Sequence, residues 1–293
     1  MNILLAVSGG IDSMYLAYRA PELFPGASFA VAHCNFSLRG DESDGDEAFV
    51  REWCESHEMK LFTRRFDTSG YASNKGISIE MAARDLRYEW FEALCREEGF
   101  DSVAVAHNAN DNAETLMLNL LRGTGSKGLR GMASDRILRP LLSTTREEIR
   151  EWMTSRGYGW REDSTNSENT FKRNKIRNEV FPLFAQMNPS FLRTLQRDMQ
   201  HFREVDDIAE DYYLAAREKV LSGGVISITE LRKYRHWEYV LWRLLESAGL
   251  SEETFGKLVE LLKSGRTISG KVFESPTHIV SIKLKSILVS ERR

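Results

Sequence analysis

The chain has 293 residues, 42% of them hydrophobic, and its 40 basic and 43 acidic side chains leave a formal net charge of −3. That length can bury two cores, and the near balance of charge excludes a gross attraction to nucleic acid or to an anionic membrane, so any polyanion site must be local. Cys34, Cys54 and Cys95 lie far apart with no C-x-x-C pair, which argues against a disulfide framework, a zinc ribbon or an iron–sulfur cluster; no stretch approaches the ~20 apolar residues of a membrane span, so a soluble protein in a reducing cytoplasm is expected.

The apolar run Ile3 to Val7 reads as a strand, and Ser8-Gly9-Gly10-Ile11-Asp12-Ser13 follows it directly and opens a helical pattern. Adjacent glycines let backbone approach a ligand closely, and the first amides of the helix carry the positive end of its dipole, so a phosphate chain fits there. No Lys follows the glycines, which excludes the G-x-x-x-x-G-K-S/T loop that grips terminal phosphates. Further strands are predicted at Phe29 to His33, Leu61 to Phe66 and Val103 to His107, alternating with helical patterns as in βαβ units under a doubly wound parallel sheet. Ligands of such sheets collect beyond the carboxyl ends of the strands, where Ser8, His33 and His107 fall.

Between these strands, Asp41, Glu42, Asp44, Asp46 and Glu47 form an acidic cluster that reads first as a solvated helix start. The helical pattern over Ile79 to Arg96 puts Glu80, Arg84 and Arg87 on one face and Ile77, Met81, Tyr88, Phe91 and Cys95 on another. Glu80 and Arg84 either make an ordinary surface pair or turn an arginine fork toward a phosphate. From Ala106 to Thr115 a strand end runs into a helix with Ala113, Leu116, Met117 and Leu120 on its expected buried face. Asp111 and Glu114, one turn apart, could face the crevice and hold a metal ion, grip an ammonium group or accept a proton; the same spacing also makes a capping box.

Basic residues gather at Arg122, Lys127, Arg130, Arg136 and Arg139, and again at Lys172, Arg173, Lys175 and Arg177 after Glu162-Asp163-Ser164-Thr165-Asn166. Each group reads as a polyanion contact or as a solvated loop. After Asn188-Pro189-Ser190 the residues Leu192, Leu195, Met199, Phe202, Val205, Tyr212 and Ala216 recur at helical spacing. A first domain is therefore placed at residues 1–189 and a smaller, mainly helical one at 190–293. Further helices are expected near Glu230 to Ser247 and Glu252 to Lys263, with strand-like alternation from Lys271 to Ser290 around Pro276.

In order and identity these blocks resemble the tRNA(Ile)-lysidine synthetase family of pyrophosphate-loop (PP-loop) ATP pyrophosphatases. The similarity rests on Leu5 to Ser13, Asn35 to Arg39, Glu80 to Arg84 with Arg87-Tyr88, Asp111 to Thr115, Arg122 to Gly125, Arg139 to Leu142, Glu162 to Asn166 and Arg173 to Arg177. Beyond residue 184 it is weaker and rests on helix content and Ser269 to Phe273. The resemblance implies an adenine-nucleotide alpha-hydrolase (PP-loop) sheet followed by a tRNA-binding domain, in a cytoplasmic ligase. It further implies that ATP adenylates the C2 oxygen of the wobble cytidine in a CAU-anticodon tRNA(Ile), releasing pyrophosphate, and that the ε-amine of free L-lysine then displaces AMP.

On that basis Ser8, Gly9, Gly10, Ile11, Asp12, Ser13, His33 and His107 are expected at ATP, and Arg84, Asp111 and Glu114 in catalysis, with Asp111 and Glu114 also beside lysine. Arg39, Lys172, Arg173 and Arg177 are expected on tRNA, and Mg2+ accompanies ATP with Asp12 as its candidate ligand. The family's His-Asp-Asp pattern has Asn110 and Asp111 at its second and third positions here, after His107-Asn108-Ala109. Many members carry a helical leader and a further C-terminal domain, whose absence would impair tRNA selection more than nucleotide chemistry. Alternatives are another PP-loop transferase, such as a tRNA thiolase or an amide ligase like NAD synthetase, and a non-catalytic ATP- or tRNA-binding module. Thiolation needs catalytic or cluster-binding cysteines, which this chain does not supply, and Asp12, Arg84, Asp111 and Glu114 together argue against the module.

Overall fold

Ile3, Leu4 and Leu5 are all fully buried, which a strand achieves only when both of its faces are covered. The computed structural model describes residues 1–132, 137–162, 172–264 and 269–292, and the chain divides into two compact units, Met1–Arg203 and Glu204–Arg293. In the first, β1 (Asn2–Ala6), β2 (Ser28–Asn35), β3 (Leu61–Arg65), β4 (Ser102–Ala104) and β5 (Ile137–Leu138) form a parallel sheet in the order β3-β2-β1-β4-β5. The expected doubly wound parallel sheet is thus present. Its order reverses between β1 and β4, the switch point where the chain leaves a crevice open.

Alternation along β1 sends Ile3, Leu5 and Val7 to one face and Leu4 to the other. The first face packs against α1 (Ile11–Leu23), α2 (Asp41–Ser56) and α7 (Arg146–Ser155) through Met14, Leu16, Val50, Trp53, Ile149 and Met153. Leu4, Ala30, Val103 and Val105 meet Trp90, Phe91 and Leu94 of α4 (Ile79–Glu98), which follows α3 (Thr68–Lys75). The buried stripe of α4 is therefore Ala82, Trp90, Phe91 and Leu94, while Met81, read on one face with Phe91, is 53% exposed. The large indole of Trp90 decides which side of this mixed helix faces the sheet.

Helix α5 (Ala109–Arg122) buries Ala113, Leu116 and Leu118, whereas Leu120 is exposed. It is followed by α6 (Ser126–Leu129), and after α7 by α8 (Lys172–Lys175), a π-helical turn (Ile176–Val180) and α9 (Phe181–Met187). The 30-residue α10 (Phe191–Val220) begins just after the break noted at Asn188-Pro189-Ser190. The division between units falls later, at Arg203, because Phe191, Leu192 and Leu195 pack with Ile176, Phe181 and Phe184.

The second unit combines helices with an antiparallel sheet. The strands β6 (Leu221–Ser222) and β7 (Val225–Ser227) are joined by Gly223 and Gly224, both at positive φ as a two-residue hairpin turn requires. Then come α11 (Ile228–Leu231), α12 (Trp237–Leu244), a 3-10 turn (Glu246–Ala248), α13 (Glu252–Lys263), β8 (Val272–Glu274), β9 (His278–Lys283) and β10 (Ser286–Glu291). Sheet order is β6-β7-β10-β9-β8, and Ile226, Val280, Ile282 and Ile287 meet Leu231, Leu241 and Leu258 in the core. The helix expected over Glu230 to Ser247 is broken into α11, α12 and the 3-10 turn. Among the described residues no helix is long and apolar enough to cross a membrane.

Candidate active site at the carboxyl ends of the strands

Between β1 and α1 the loop is built before any ligand arrives. Gly9 takes φ +92°, a region that β-carbon-bearing residues avoid, and Gly10 is the extended N-cap of α1. Ser13 Oγ donates to Gly10 O at 2.8 Å and accepts from Ser8 N at 3.1 Å, and Ser8 Oγ lies 3.1 Å from Ser13 Oγ. From the other side Arg161 N donates to Gly9 O at 2.9 Å. The first amides of α1 have no acceptor within the helix and are left for an anion.

Two recesses share Ser8, Asp12 and Ser13. One, of about 240 Å³, is lined by Phe36, Tyr88, Phe91, Ala106, His107 and Arg87 and suits a flat, weakly polar ring. The other, of about 390 Å³, carries Arg39, Arg146, Arg150, Arg161 and Arg177 and suits an anion. His107 lines the apolar recess as a neutral imidazole. Burial holds it at about 4, and Arg139 Nε donates to its Nδ1 at 3.3 Å. His33 is likewise kept neutral by burial, and its Nδ1 donates to Val7 O at 2.9 Å. It therefore braces the strand end beneath the loop and lines neither recess.

Three carboxylates and two arginines meet beside the loop. Asn108 caps α5, accepting from Asp111 N at 3.0 Å while Asp111 Oδ2 accepts from Asn108 N at 3.1 Å. The capping box thus exists, one turn earlier than the Asp111–Glu114 version. Asp111 Oδ1 faces Arg146 Nη2 at 3.4 Å and Arg177 Nη2 at 3.7 Å, and Arg146 Nη2 also lies 3.7 Å from Asp12 Oδ2. Glu114, 1% exposed, receives a bidentate pair from Arg177 at 2.7 and 3.1 Å. Burial raises the Glu114 carboxyl above its ordinary value although Arg177 opposes the shift. Burial also raises Asp12, aided by Asp111 and opposed by Arg146. Asp12 Oδ1 is buried and has no hydrogen-bond partner among the described residues.

The sequence-predicted residues are thus only partly gathered. Ser8, Gly10, Ile11, Asp12, Ser13, Arg39 and Arg177 line the cationic cleft, with Asp111 and Glu114 behind it. Arg177, expected on tRNA, is held by Glu114, and Arg39 by Asp46 at 2.8 Å. Arg84 is exposed with its guanidinium 5.1 Å from the centre of the Tyr88 ring and lines neither recess; Arg87, one turn on, lines the apolar one. Lys172 is exposed at the start of α8, and Arg173 Nη2 donates to Thr115 Oγ1 at 3.2 Å. Arg136 and Asp163 to Asn166 lie outside the described residues.

Sequence reasoning missed Arg146, Arg161 and Asp46. The first stands at the start of α7 behind the capping box Thr145–Glu148, a legible signal, and its backbone N–H donates to Asn110 Oδ1 at 3.0 Å. Asn110, where the family pattern has a carboxylate, thus anchors α7 rather than facing the loop.

A model of the PP-loop domain matches residues 1–184, and one of the TilS substrate binding domain matches residues 222–292. The chain is 40% identical over 287 residues to a tRNA(Ile)-lysidine synthase of Parabacteroides distasonis, covering 94% of this chain and 63% of the relative. It is 38% identical over 285 residues to one of Chlorobaculum tepidum, covering 91% and 85%. It spans about three fifths of the length of the first curated relatives it matches, at 63%, 60% and 60%. Among solved structures the U34-tRNA thiolase NcsA from Methanococcus maripaludis aligns with TM-score 0.59 at 17% identity, covering 70% of this chain and 73% of that one, a likeness of fold.

Proposed function

The chain belongs to the tRNA(Ile)-lysidine synthase family, and we propose that it carries out that family's two-step ligation at the crevice above β1 and β4. ATP lies with its base in the aromatic recess and its phosphates on the loop from Ser8 to Ser13. The wobble cytidine C2 oxygen of a CAU-anticodon tRNA(Ile) attacks the α-phosphorus and pyrophosphate leaves. The ε-amine of L-lysine then displaces AMP. The observation that carries this reading is the junction of the two recesses, one apolar and one cationic, at a preformed helix N-terminus.

The carbonyl oxygen of a cytidine leaves poorly until it is joined to AMP, and an amine attacks only after losing its proton. Asp111 suits the second need by position: its carboxylate faces the cleft arginines at 3.4 to 3.7 Å and makes no bidentate pair of the kind that occupies Glu114. Glu114 serves chiefly to fix Arg177, which with Arg146 gathers positive charge where phosphate charge develops. The unpartnered Asp12 Oδ1 fits Mg2+, which takes one or two carboxylates and completes its shell with water and substrate phosphate oxygens. When bound, the ion would offset phosphate charge. Lys172 and Arg173 are the contacts offered to tRNA, whereas Arg39, expected there, turns into the cationic cleft; the cytoplasm is the expected location.

A thiolase would need an ionisable cysteine at the site. Cys34, which lines the apolar recess, is pushed up to about 12 by burial. The test is incubation with labelled ATP, L-lysine and a CAU-anticodon tRNA(Ile). Pyrophosphate release that depends on tRNA, together with lysine incorporation, is expected; ATP or tRNA binding with neither product would favour the non-catalytic module.

A further inference from the structure

Gly45 lies inside α2, where glycine is a poor helix former, and its backbone has no positive φ that would demand it. Its missing side chain instead makes room for Arg161. An ideal Cβ there would lie 2.9 Å from Arg161 Nη2 and 3.5 Å from Cζ. Arg161 is fixed at its backbone by the bridge to Gly10 and the bond to Gly9 O, and at its side chain by Nε donating to Asp46 Oδ1 at 3.1 Å. Asp46 Oδ2 also accepts from Arg39 Nη2 at 2.8 Å. One carboxylate of the acidic cluster therefore holds two guanidinium groups, and both line the cleft shared with Ser8 and Gly10. A guanidinium has five N–H donors, more than the one bond to Asp46 occupies at Arg161.

We propose that Arg161 and Arg39, positioned by Asp46 and by the absent side chain of Gly45, bind the β- and γ-phosphates of ATP and hold the departing pyrophosphate. This rests on the reading of the cleft as the ATP site. In the adenylation step the cytidine C2 oxygen bonds to the α-phosphorus, and the bond from that phosphorus to the α,β-bridging oxygen breaks. Its electron pair leaves with pyrophosphate, and two charge-assisted forks lower the cost of that charge.

Gly45→Ala tests the idea without removing any charge. The added methyl meets only the flexible end of Arg161, and alanine favours the helix, so the variant should fold with an equal or higher Tm. Calorimetric titration with α,β-methylene-ATP and with AMP should show the triphosphate bound about tenfold more weakly, the loss of roughly one charge-assisted hydrogen bond, with AMP affinity unchanged. Arg161→Ala should do the same. Variants that keep the wild-type preference for the triphosphate over AMP would overturn this inference alone. A wild-type chain that binds neither nucleotide would defeat the ATP reading and this inference with it.

Discussion

Replacing Arg177 with alanine leaves the Glu114 carboxylate buried without its counter-ion. The pair differs from a surface salt bridge, which contributes at most about 1 kcal/mol. Glu114 is 1% exposed, the Arg177 side chain 21%, and two parallel bonds of 2.7 and 3.1 Å join them. Breaking a buried pair from one side costs about 3–5 kcal/mol. For a unit of this size each kcal/mol lowers Tm by about 2–4 °C, so a fall of about 6–20 °C is expected in calorimetry or circular dichroism.

The loss should depend on pH. Burial already lifts the Glu114 carboxyl above its ordinary value of 4.5, and removing Arg177 lifts it further. A folded-state value above the unfolded one means that stability is fully kept below 4.5 and declines as pH rises through the folded value. The deficit of the variant should therefore be greatest near neutral pH and shrink toward pH 4.5. Removing both partners, as in Glu114→Leu with Arg177→Met, should restore most of the stability. A deficit under about 1 kcal/mol, or one that is the same at pH 4.5 and 7.5, would refute the reasoning.

Arg146→Ala removes the cation that restrains Asp12, so the Asp12 carboxyl rises further, and the acid limb of the pH profile for pyrophosphate release should move to higher pH; an unmoved limb would show that Asp12 need not be ionised. Gly9→Ala meets no close atom, Val50 Cγ2 being 3.5 Å away, but forces an L-residue to φ +92°. It should cost about 1–3 kcal/mol in chemical denaturation and weaken ATP-analogue binding, and a neutral result would mean the loop readily adopts another conformation. Arg173→Glu should weaken tRNA binding and flatten its dependence on salt concentration, measured by filter binding; an unaltered slope would remove α8 from the RNA surface.

Much of the site was legible because it is local. The run Ile3 to Val7 and the glycine loop after it specify a strand, a turn and a helix start within a dozen residues, and the structure has all three. Asp111 and Glu114 were legible as a pair but not as individuals. Their difference comes from Arg177, whose place in sequence says nothing about which carboxylate it reaches. Asp46 illustrates the same limit, since an acidic helix start looks solvated until Arg39 and Arg161 are seen on either side of it. The strand Ile137–Leu138 is too short to carry a periodic signal. The hairpin around Gly223-Gly224 did carry one, a glycine pair between apolar residues, which the helical pattern on either side obscured.

The adenylated intermediate offers the most direct measurement. With lysine withheld, the proposed reaction should transfer label from ATP carrying 32P at the α-position to CAU-anticodon tRNA(Ile), and added lysine should then release that label as AMP. Label that never reaches the tRNA while lysine is still incorporated, or that is released as ADP rather than AMP, would contradict attack at the α-phosphorus over the β1–α1 loop.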